Sequence, residues 1–293
     1  MRSAYALLLG ANLVYATSYV AIRVVLDELP PALLALVRLV VGAAVLIPLV
    51  RMLEPVTSPP DRTDARRIVW MGVIGFAGAF AFGHWGLARS TATNAALLII
   101  VEPVSIMALS PLVLGERMSR REAAGAVLAV LGAVVVILNG VPGVTRGLAP
   151  HWRGDLLLVL SGLAFGAYTL LGRGVLSRHS PLRVTVRSIV WGAVVMVPFV
   201  VAEWLGGARP VLTAASVAGA LYLAVVITAF GYLLWNWALA RVAAPQVAVF
   251  VTVQPIGGAI LGIVLLHEPL TAFTVAGGAL IALGLSLTVT GRQ

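Results

Sequence analysis

The chain has 293 residues, of which 60% are hydrophobic and only 11% are charged, and its formal net charge is +9. Charged residues make up about a quarter of an ordinary soluble domain, so this composition excludes a soluble protein and indicates a polytopic membrane protein. The positive charge comes from arginines scattered between apolar runs rather than from a continuous basic surface, which argues against a nucleic-acid partner.

Apolar runs bounded by proline, glycine and charged residues predict ten membrane-spanning helices. They lie near residues 4–22, 33–50, 68–87, 92–114, 121–138, 155–172, 183–202, 214–236, 245–266 and 272–290. The first run carries Asn12, Tyr15 and Tyr19 and shows no small-residue cleavage site, so we interpret it as a helix rather than a signal peptide. The predicted fold class is therefore an all-α polytopic membrane protein with ten transmembrane helices.

Two stretches of the chain share their landmarks at one offset, 152 residues (237 minus 85). The matched landmarks are Trp85 and Trp237, Glu102-Pro103 and Gln254-Pro255, Leu114 and Leu266, and Glu116 and Glu268. We therefore predict two five-helix repeats, residues 1–140 and 155–293, joined by a connecting loop at 141–154. Because five is odd, the second repeat enters the membrane from the opposite side, and such inverted repeats are typical of secondary transporters.

The arginines predict the orientation of these helices. With a cytoplasmic N-terminus, only six of the 20 arginines fall outside cytoplasmic segments, which leaves 14 inside. Those six are Arg23, Arg38, Arg89, Arg146, Arg153 and Arg209. The positive-inside rule therefore predicts that both termini lie in the cytoplasm.

Glu102 lies near the middle of the predicted fourth helix. A carboxylate at that depth is costly unless it is paired, hydrated or protonated, so we interpret Glu102 as a candidate for proton coupling. The alternative is a neutral side chain that bonds to a neighbouring helix. Pro103 and Pro255 are predicted to bend their helices and free backbone acceptors near this depth, although a simple packing kink is the competing interpretation.

Polar and aromatic side chains on several helices predict one cavity. Asn94, Leu98 and Glu102 follow helical spacing on the fourth helix, and Gln246, Phe250 and Gln254 form the uncharged counterpart on the ninth. The other predicted cavity residues are Asn12, Tyr15, Tyr19, His84, Tyr168, Tyr232, Trp235 and Asn236.

Trp85, Trp237 and two arginines have competing interpretations. We expect the tryptophans to lie in an interfacial belt. Arg38 and Arg187 are expected to extend to the membrane interface, although one of them could instead meet a substrate carboxylate. His84 is a weaker candidate for carrying protons than Glu102.

Residues 88–96, ARSTATNAA, with Pro103 and the later Gly125 and Gly132, resemble the drug/metabolite transporter superfamily, and in particular its EamA-type ten-helix members. The second copy, with Ala240, Pro255, Gly277 and Gly284, resembles it equally. The resemblance implies a cavity lined mainly by the first, third, fourth, sixth, eighth and ninth helices, in a protein of the bacterial cytoplasmic (inner) membrane. Most bacterial relatives look like exporters of amino acids, other metabolites or toxic compounds. The absence of lysine disfavours phosphorylated substrates, which similar sugar-phosphate carriers bind with lysines.

The leading hypothesis is a proton-coupled exporter of a small metabolite, such as an amino acid or a related zwitterionic or amphiphilic compound, that works by alternating access. An uncoupled facilitator of small metabolites and a multidrug exporter are the alternatives. A non-transporting receptor or scaffold and an intramembrane enzyme are more remote. We find no H-E-x-x-H or G-x-S-x-G motif, and the four histidines are scattered. We therefore expect no enzymatic activity, cofactor or metal, and the expected partners are the substrate, protons and the lipid bilayer.

Overall fold

The structure, a computed structural model, describes residues 2–54, 60–113, 115, 119–145, 150–242 and 244–290, without the side chains of 2–6, 245, 248–249, 252 and 288–290. Leu114 and Glu116, two landmarks of the sequence repeat, lie outside the described residues. Within the described ranges the fold is entirely helical. The ten helices are α1 (Arg2–Val25), α2 (Pro31–Leu53), α3 (Arg62–Leu87), α4 (Ala92–Val113), α5 (Arg120–Leu138), α6 (Trp152–Leu176), α7 (Pro181–Leu205), α8 (Ala214–Leu239), α9 (residues 244–266) and α10 (Ala272–Thr290).

Among the described helices, eight are long and apolar enough to cross a membrane, and the Val253–Leu266 segment of α9 and α10 add two shorter apolar helices. The prediction of an all-α membrane protein with ten helices is therefore confirmed. The predicted boundaries stop short where helices continue into polar turns. α3 begins at Arg62 rather than near residue 68, because the Asp61 side chain caps the backbone amide of Asp64 and starts the helix among charged residues.

The two halves share the same departures from ideal helix geometry. α3 and α8 each contain a π-helical stretch, Met71–Gly78 and Leu223–Gly231, whose starts are 152 residues apart (223 minus 71). α4 is interrupted between Ala92–Leu98 and Val101–Val113, and α9 contains a 3₁₀ turn at Phe250–Thr252. π-helical insertions in proteins are often found at functional sites. The repeat is thus visible in backbone distortions that sequence reading did not predict.

Pro103 and Pro255 lie next to the interruptions of α4 and α9. Pro103 has no amide to donate to Ile99, and the Ile99 carbonyl instead accepts from the amide of Glu102 at 2.9 Å. Pro255 follows the 3₁₀ turn of α9 within one helical turn. Both prolines therefore accompany a local tightening of the helix at the centre of the bundle.

Helices from the two halves pack against each other in pairs. α1 lies against α9 and α6 against α4, while α2 contacts α7, α3 contacts α6, and α5 contacts α10. The pairing of α5 with α10 is backbone to backbone. A Cβ at Gly132 would lie 2.6 Å from the carbonyl oxygen of Gly277, and a Cβ at Gly284 would lie 2.5 Å from that of Gly125. Small residues allow this close approach between membrane helices.

Candidate functional site

A cavity of about 110 Å³ lies at the centre of the bundle. A buried water needs about 10–15 Å³ on this measure, so the cavity has room for a small solute. Its walls come from α1, α2, α3, α4, α6, α8 and α9, which are the six helices implied by the family resemblance together with α2. The lining residues are Tyr15, Ser18, Tyr19, Ile22, Arg38, Ala79, Phe80, Gly83, His84, Leu87, Ala95, Ile99, Glu102, Leu158, Ser161, Phe165, Tyr168, Ile227, Tyr232, Trp235, Val251 and Gln254.

Glu102 lines this cavity immediately after the interruption of α4 and is only 8% exposed. Its carboxylate makes no hydrogen bond or ion pair with any of the described residues. α6 approaches the α4 backbone here through a glycine, since a Cβ at Gly162 would lie 3.3 Å from the Glu102 amide nitrogen. The neighbouring helix therefore offers backbone contact at this level but no side-chain partner for the carboxylate.

Gln254, the counterpart of Glu102, has both ends of its amide bonded to α1. The Tyr19 hydroxyl donates to Gln254 Oε1 at 2.6 Å, and Gln254 Nε2 donates to Asn12 Oδ1 at 2.7 Å. The equivalents of Asn12 and Tyr19 in the second half, at an offset of 150, are Gly162 and Thr169 (162 minus 12). Because α6 has Gly162 and Thr169 where α1 has Asn12 and Tyr19, Gln254 has hydrogen-bond partners on the adjacent helix and Glu102 has none there.

An aromatic cluster surrounds Tyr232 on one side of the cavity. Its ring stacks on Phe165 at a centroid distance of 5.9 Å and meets Tyr15 edge-on at 6.1 Å. Tyr168 and Phe80 lie at 5.9 and 6.0 Å. Aromatic side chains of this kind form a rigid apolar wall that carries hydroxyl groups at its edges.

The prediction that Arg38 extends to the membrane interface is wrong. It is only 4% exposed and does not extend to the interface. Its Nη1 donates to His84 Nε2 at 2.8 Å, its Nε donates to Thr228 Oγ1 at 3.1 Å, and its guanidinium lies 4.3 Å from the centre of the Phe80 ring. Arg187 is half-buried and does not line the cavity.

Several predicted cavity residues lie elsewhere. Asn94 bonds through Nδ2 to Asp155 at 3.2 Å and to His151, and Leu98 is fully buried in an apolar cluster. Gln246 is exposed, and Phe250 is partly buried outside the cavity lining. The prediction assumed uninterrupted helices, and the breaks at 99–100 in α4 and 250–252 in α9 change which face points inward.

Asn12 and Asn236 support the cavity from behind its lining. Asn12 bonds to Gln254, and its own Nδ2 donates to the Leu8 carbonyl at 2.8 Å. Asn236 Nδ2 donates to the Tyr168 hydroxyl at 2.6 Å and to Thr185 Oγ1 at 2.7 Å. Of the other predicted residues, the structure places seven besides Glu102 at the cavity itself: Tyr15, Tyr19, His84, Tyr168, Tyr232, Trp235 and Gln254.

Acidic side chains join the two halves at both ends of the bundle. At the end where α1 begins, the Asp64 carboxylate pairs with Arg178 at 2.5 Å and His179 at 2.9 Å. At the opposite end, Glu268 accepts from the backbone amides of Ala92 and Thr93 at 2.7 Å each. These contacts cap the bundle above and below the cavity.

Trp85 takes part in a similar contact between the halves. Its Nε1 donates to Glu203 at 2.6 Å, and its ring lies 5.6 Å from that of Phe199. Trp85 therefore connects α3 to α7, in addition to its place near a helix end where an interfacial belt was expected.

Known proteins match the chain over its whole length. It is 30% identical to an uncharacterized transporter of Archaeoglobus fulgidus, covering 100% of this chain and 99% of that one. It is 29% identical to a probable terminal-alkyne amino-acid exporter of Streptantibioticus cattleyicolor, covering 93% and 89%. It is 27% identical to a probable amino-acid metabolite efflux pump of Salmonella typhimurium, covering 95% and 92%.

A solved crystal structure shares the fold, with a TM-score of 0.72 and 20% identity over 100% of this chain and 98% of the other. The family match falls on both halves of the chain separately, at residues 2–138 and 152–290. Each matched segment contains five of the described helices. Together with the multiple membrane-spanning helices, this doubled match shows that the chain is a membrane transporter and belongs to the EamA-like transporter family.

Proposed function

We propose that the protein is a proton-coupled exporter of a small metabolite, such as an amino acid or a related zwitterionic or amphiphilic compound. The observation that carries the proposal is Glu102, a buried carboxylate that lines the central cavity and has no partner among the described residues. An ionisable group at this depth in a membrane protein marks a substrate or proton pathway.

The location of the cavity supports alternating access. It lies between segments of both halves, at the level where α4 and α9 are interrupted. Inverted-repeat carriers bind their substrates at such an interface and expose the site to each side by moving one half against the other. We place the halves at residues 1–140 and 155–293, in a bacterial inner membrane with both termini cytoplasmic.

Charge balance links Glu102 to a proton. An unpaired carboxylate in a closed, water-poor cavity is costly. The carrier should therefore change between its inward-facing and outward-facing conformations more readily when Glu102 binds a proton or the ammonium group of a substrate. These two states exclude each other. A proton taken up outside would allow the empty carrier to return, and its release inside would free the carboxylate for the next substrate.

The names of two relatives favour amino-acid export. One is called a probable terminal-alkyne amino-acid exporter and another a probable amino-acid metabolite efflux pump. The cavity has a size and a mixed aromatic and polar lining that would suit a compound of this class. The proposal therefore takes both its substrate class and its direction from these relatives.

The test compares wild-type protein with Glu102→Gln in proteoliposomes carrying an imposed pH gradient. Wild type should accumulate labelled amino acid against its gradient, whereas Glu102→Gln should lose the response to pH and show only slower, pH-independent exchange of labelled for unlabelled substrate, because it also lacks the partner of the substrate's ammonium group. Glu102→Asp, which keeps a carboxylate on the same helix, is the matched control and should retain part of the response. Equal pH dependence in wild type and Glu102→Gln would contradict the coupling role.

A further inference from the structure

We infer that Arg38 binds the carboxylate of the transported substrate and so selects substrates that carry one. The inference rests on the proposed function and deepens it, because it assigns the substrate's anionic group to a particular residue. Arg38 is the side chain that α2 contributes to the cavity lining. It is 96% buried, since its exposed fraction is 4%.

The hydrogen bonds of Arg38 hold it in place without neutralising its charge. A guanidinium has five N–H donors, and the described residues accept from two of its nitrogens, Nη1 and Nε. Both acceptors, His84 and Thr228, are neutral groups in this arrangement. No carboxylate of a described residue lies within the 4.0 Å of an ion pair with Arg38. Nη2 therefore remains free for a charged partner.

The neutral state of His84 follows from its two contacts. Its Nδ1 lies 3.1 Å from the carbonyl oxygen of Pro31, which can only accept, so Nδ1 carries the proton. Its Nε2 faces Arg38, which can only donate, so Nε2 offers its lone pair. His84 is thus a positioning residue for the guanidinium, and it has no proton to spare at Nε2.

A buried cation with only neutral partners is costly, and a bound anion removes that cost. Guanidinium groups bind carboxylates through charge-assisted hydrogen bonds. Because Nε donates to Thr228 and Nη1 donates to His84, Nη2 and the second N–H of Nη1 are the donors left for a carboxylate. The centre of the Phe80 ring lies 4.3 Å from the guanidinium carbon, so the ring packs against the guanidinium and helps to hold it in place. The arrangement is therefore preformed for one carboxylate.

The composition of the cavity sets a narrow substrate class. Glu102 and Arg38 line the same cavity, one acidic and one basic, and neither is paired with the other. Glu102 would attract an ammonium group and repel a phosphate dianion, whereas Arg38 would repel an organic cation that lacks an acid group. A zwitterion with one ammonium and one carboxylate satisfies both residues.

The second half of the chain has no arginine at the position equivalent to Arg38. The position equivalent to Arg38, at an offset of 150, is Ser188 (188 minus 38), whose hydroxyl donates to the Val184 carbonyl at 2.7 Å within its own helix. The carboxylate of the substrate therefore has a single place to bind, and the substrate enters the cavity in one orientation.

The test measures ligand-induced thermal stabilisation and Kd of the purified full-length protein. The probes are leucine, phenylalanine, methionine and tryptophan, each matched with its amide, which keeps the ammonium group and removes the carboxylate. Wild type should bind the acids about 10- to 100-fold more tightly than the amides, the range expected for hydrogen bonds to a charged group. Arg38→Gln should lose this difference, and Arg38→Lys should keep part of it.

Arg187→Gln is the matched control, because it also removes an arginine from a membrane helix but lies outside the cavity lining; it should keep the full preference for acids. Equal binding of acids and amides by wild type would overturn the inference, as would no binding of any acid. The acid-to-amide ratio of wild type decides the inference even if Arg38→Gln does not fold. Transport with equal rates for acids and amides would contradict only the role of Arg38, whereas no transport of any probe would contradict the proposed function as well.

Discussion

Glu102 on α4 and Gln254 on α9 hold equivalent places in the two halves, but only Gln254 is bonded to the helix beside it. Gln254 has Tyr19 and Asn12 as partners on α1, whereas α6 presents Gly162 and Thr169 at those places. The packing of α5 on α10, by contrast, is the same for both copies. The two halves therefore share their helix breaks and their close packing of α5 on α10, but they differ in the side chains that face Glu102 and Gln254.

The largest expected effect comes from exchanging the two central residues. In Glu102→Gln/Gln254→Glu the carboxylate moves to a place where the Tyr19 hydroxyl donates to it. A hydrogen-bonded carboxylate has less need of a proton or a substrate ammonium group. We therefore expect accumulation driven by a pH gradient to fall to background in proteoliposomes. Exchange of labelled substrate serves as the control for folding. Restored coupling would mean that any cavity carboxylate suffices and that the asymmetry has no functional role.

A second prediction tests the symmetric part of the same comparison. Gly132 and Gly284 are equivalents at an offset of 152 (284 minus 132), and a Cβ on either would lie 2.5–2.6 Å from a backbone carbonyl oxygen of the facing helix. Gly132→Ala and Gly284→Ala should each destabilise the protein by about 1–3 kcal/mol, the usual cost of overpacking. Denaturation in detergent measures both values.

Gly278→Ala is the control for these variants. A Cβ at Gly278 would lie 3.6 Å from its nearest neighbour, Leu97 Cδ2, which is ordinary van der Waals contact. We expect its stability to stay close to wild type. A large difference between Gly132→Ala and Gly284→Ala would show that the two halves do not share this packing.

The scaffold was predictable from sequence because each helix carries its own signal. Apolar runs and short loops predict ten helices without knowledge of their neighbours, and the offset of 152 predicts the repeat. The cavity was only partly predictable. Tyr15 and Tyr19 lie on α1, which is uninterrupted, and they line the cavity as helical spacing predicted, whereas Glu102 lines it just after the interruption of α4.

Arg38 could not be placed from local sequence. A lone arginine two turns into a helix usually reaches the interface, and what holds it inside is a set of partners remote in the chain. His84 is 46 residues away and Thr228 is 190 residues away. The predictions for Asn94 and Gln246 were wrong for a different reason. They assumed continuous helices, and the breaks in α4 and α9 change which side chains point toward the cavity.

The smallest expected effect comes from Tyr19→Phe, which tests whether Gln254 is held by α1. Tyr19→Phe removes the hydroxyl that donates to Gln254 Oε1 at 2.6 Å and leaves the bond from Gln254 to Asn12. Hydrogen bonds between membrane helices contribute about 0.6 kcal/mol on average and at most about 1.7 kcal/mol, so the loss of stability should fall in that range. The double-mutant cycle of Tyr19→Phe with Gln254→Ala separates the free energy of the Tyr19–Gln254 hydrogen bond from the other effects of each substitution on stability. A coupling energy near zero would mean that Gln254 is not anchored to α1, and the contrast with Glu102 would then rest on charge alone. A coupling energy within the expected range would support the conclusion that the second half uses this position to join helices, while the first half leaves its carboxylate open to the cavity.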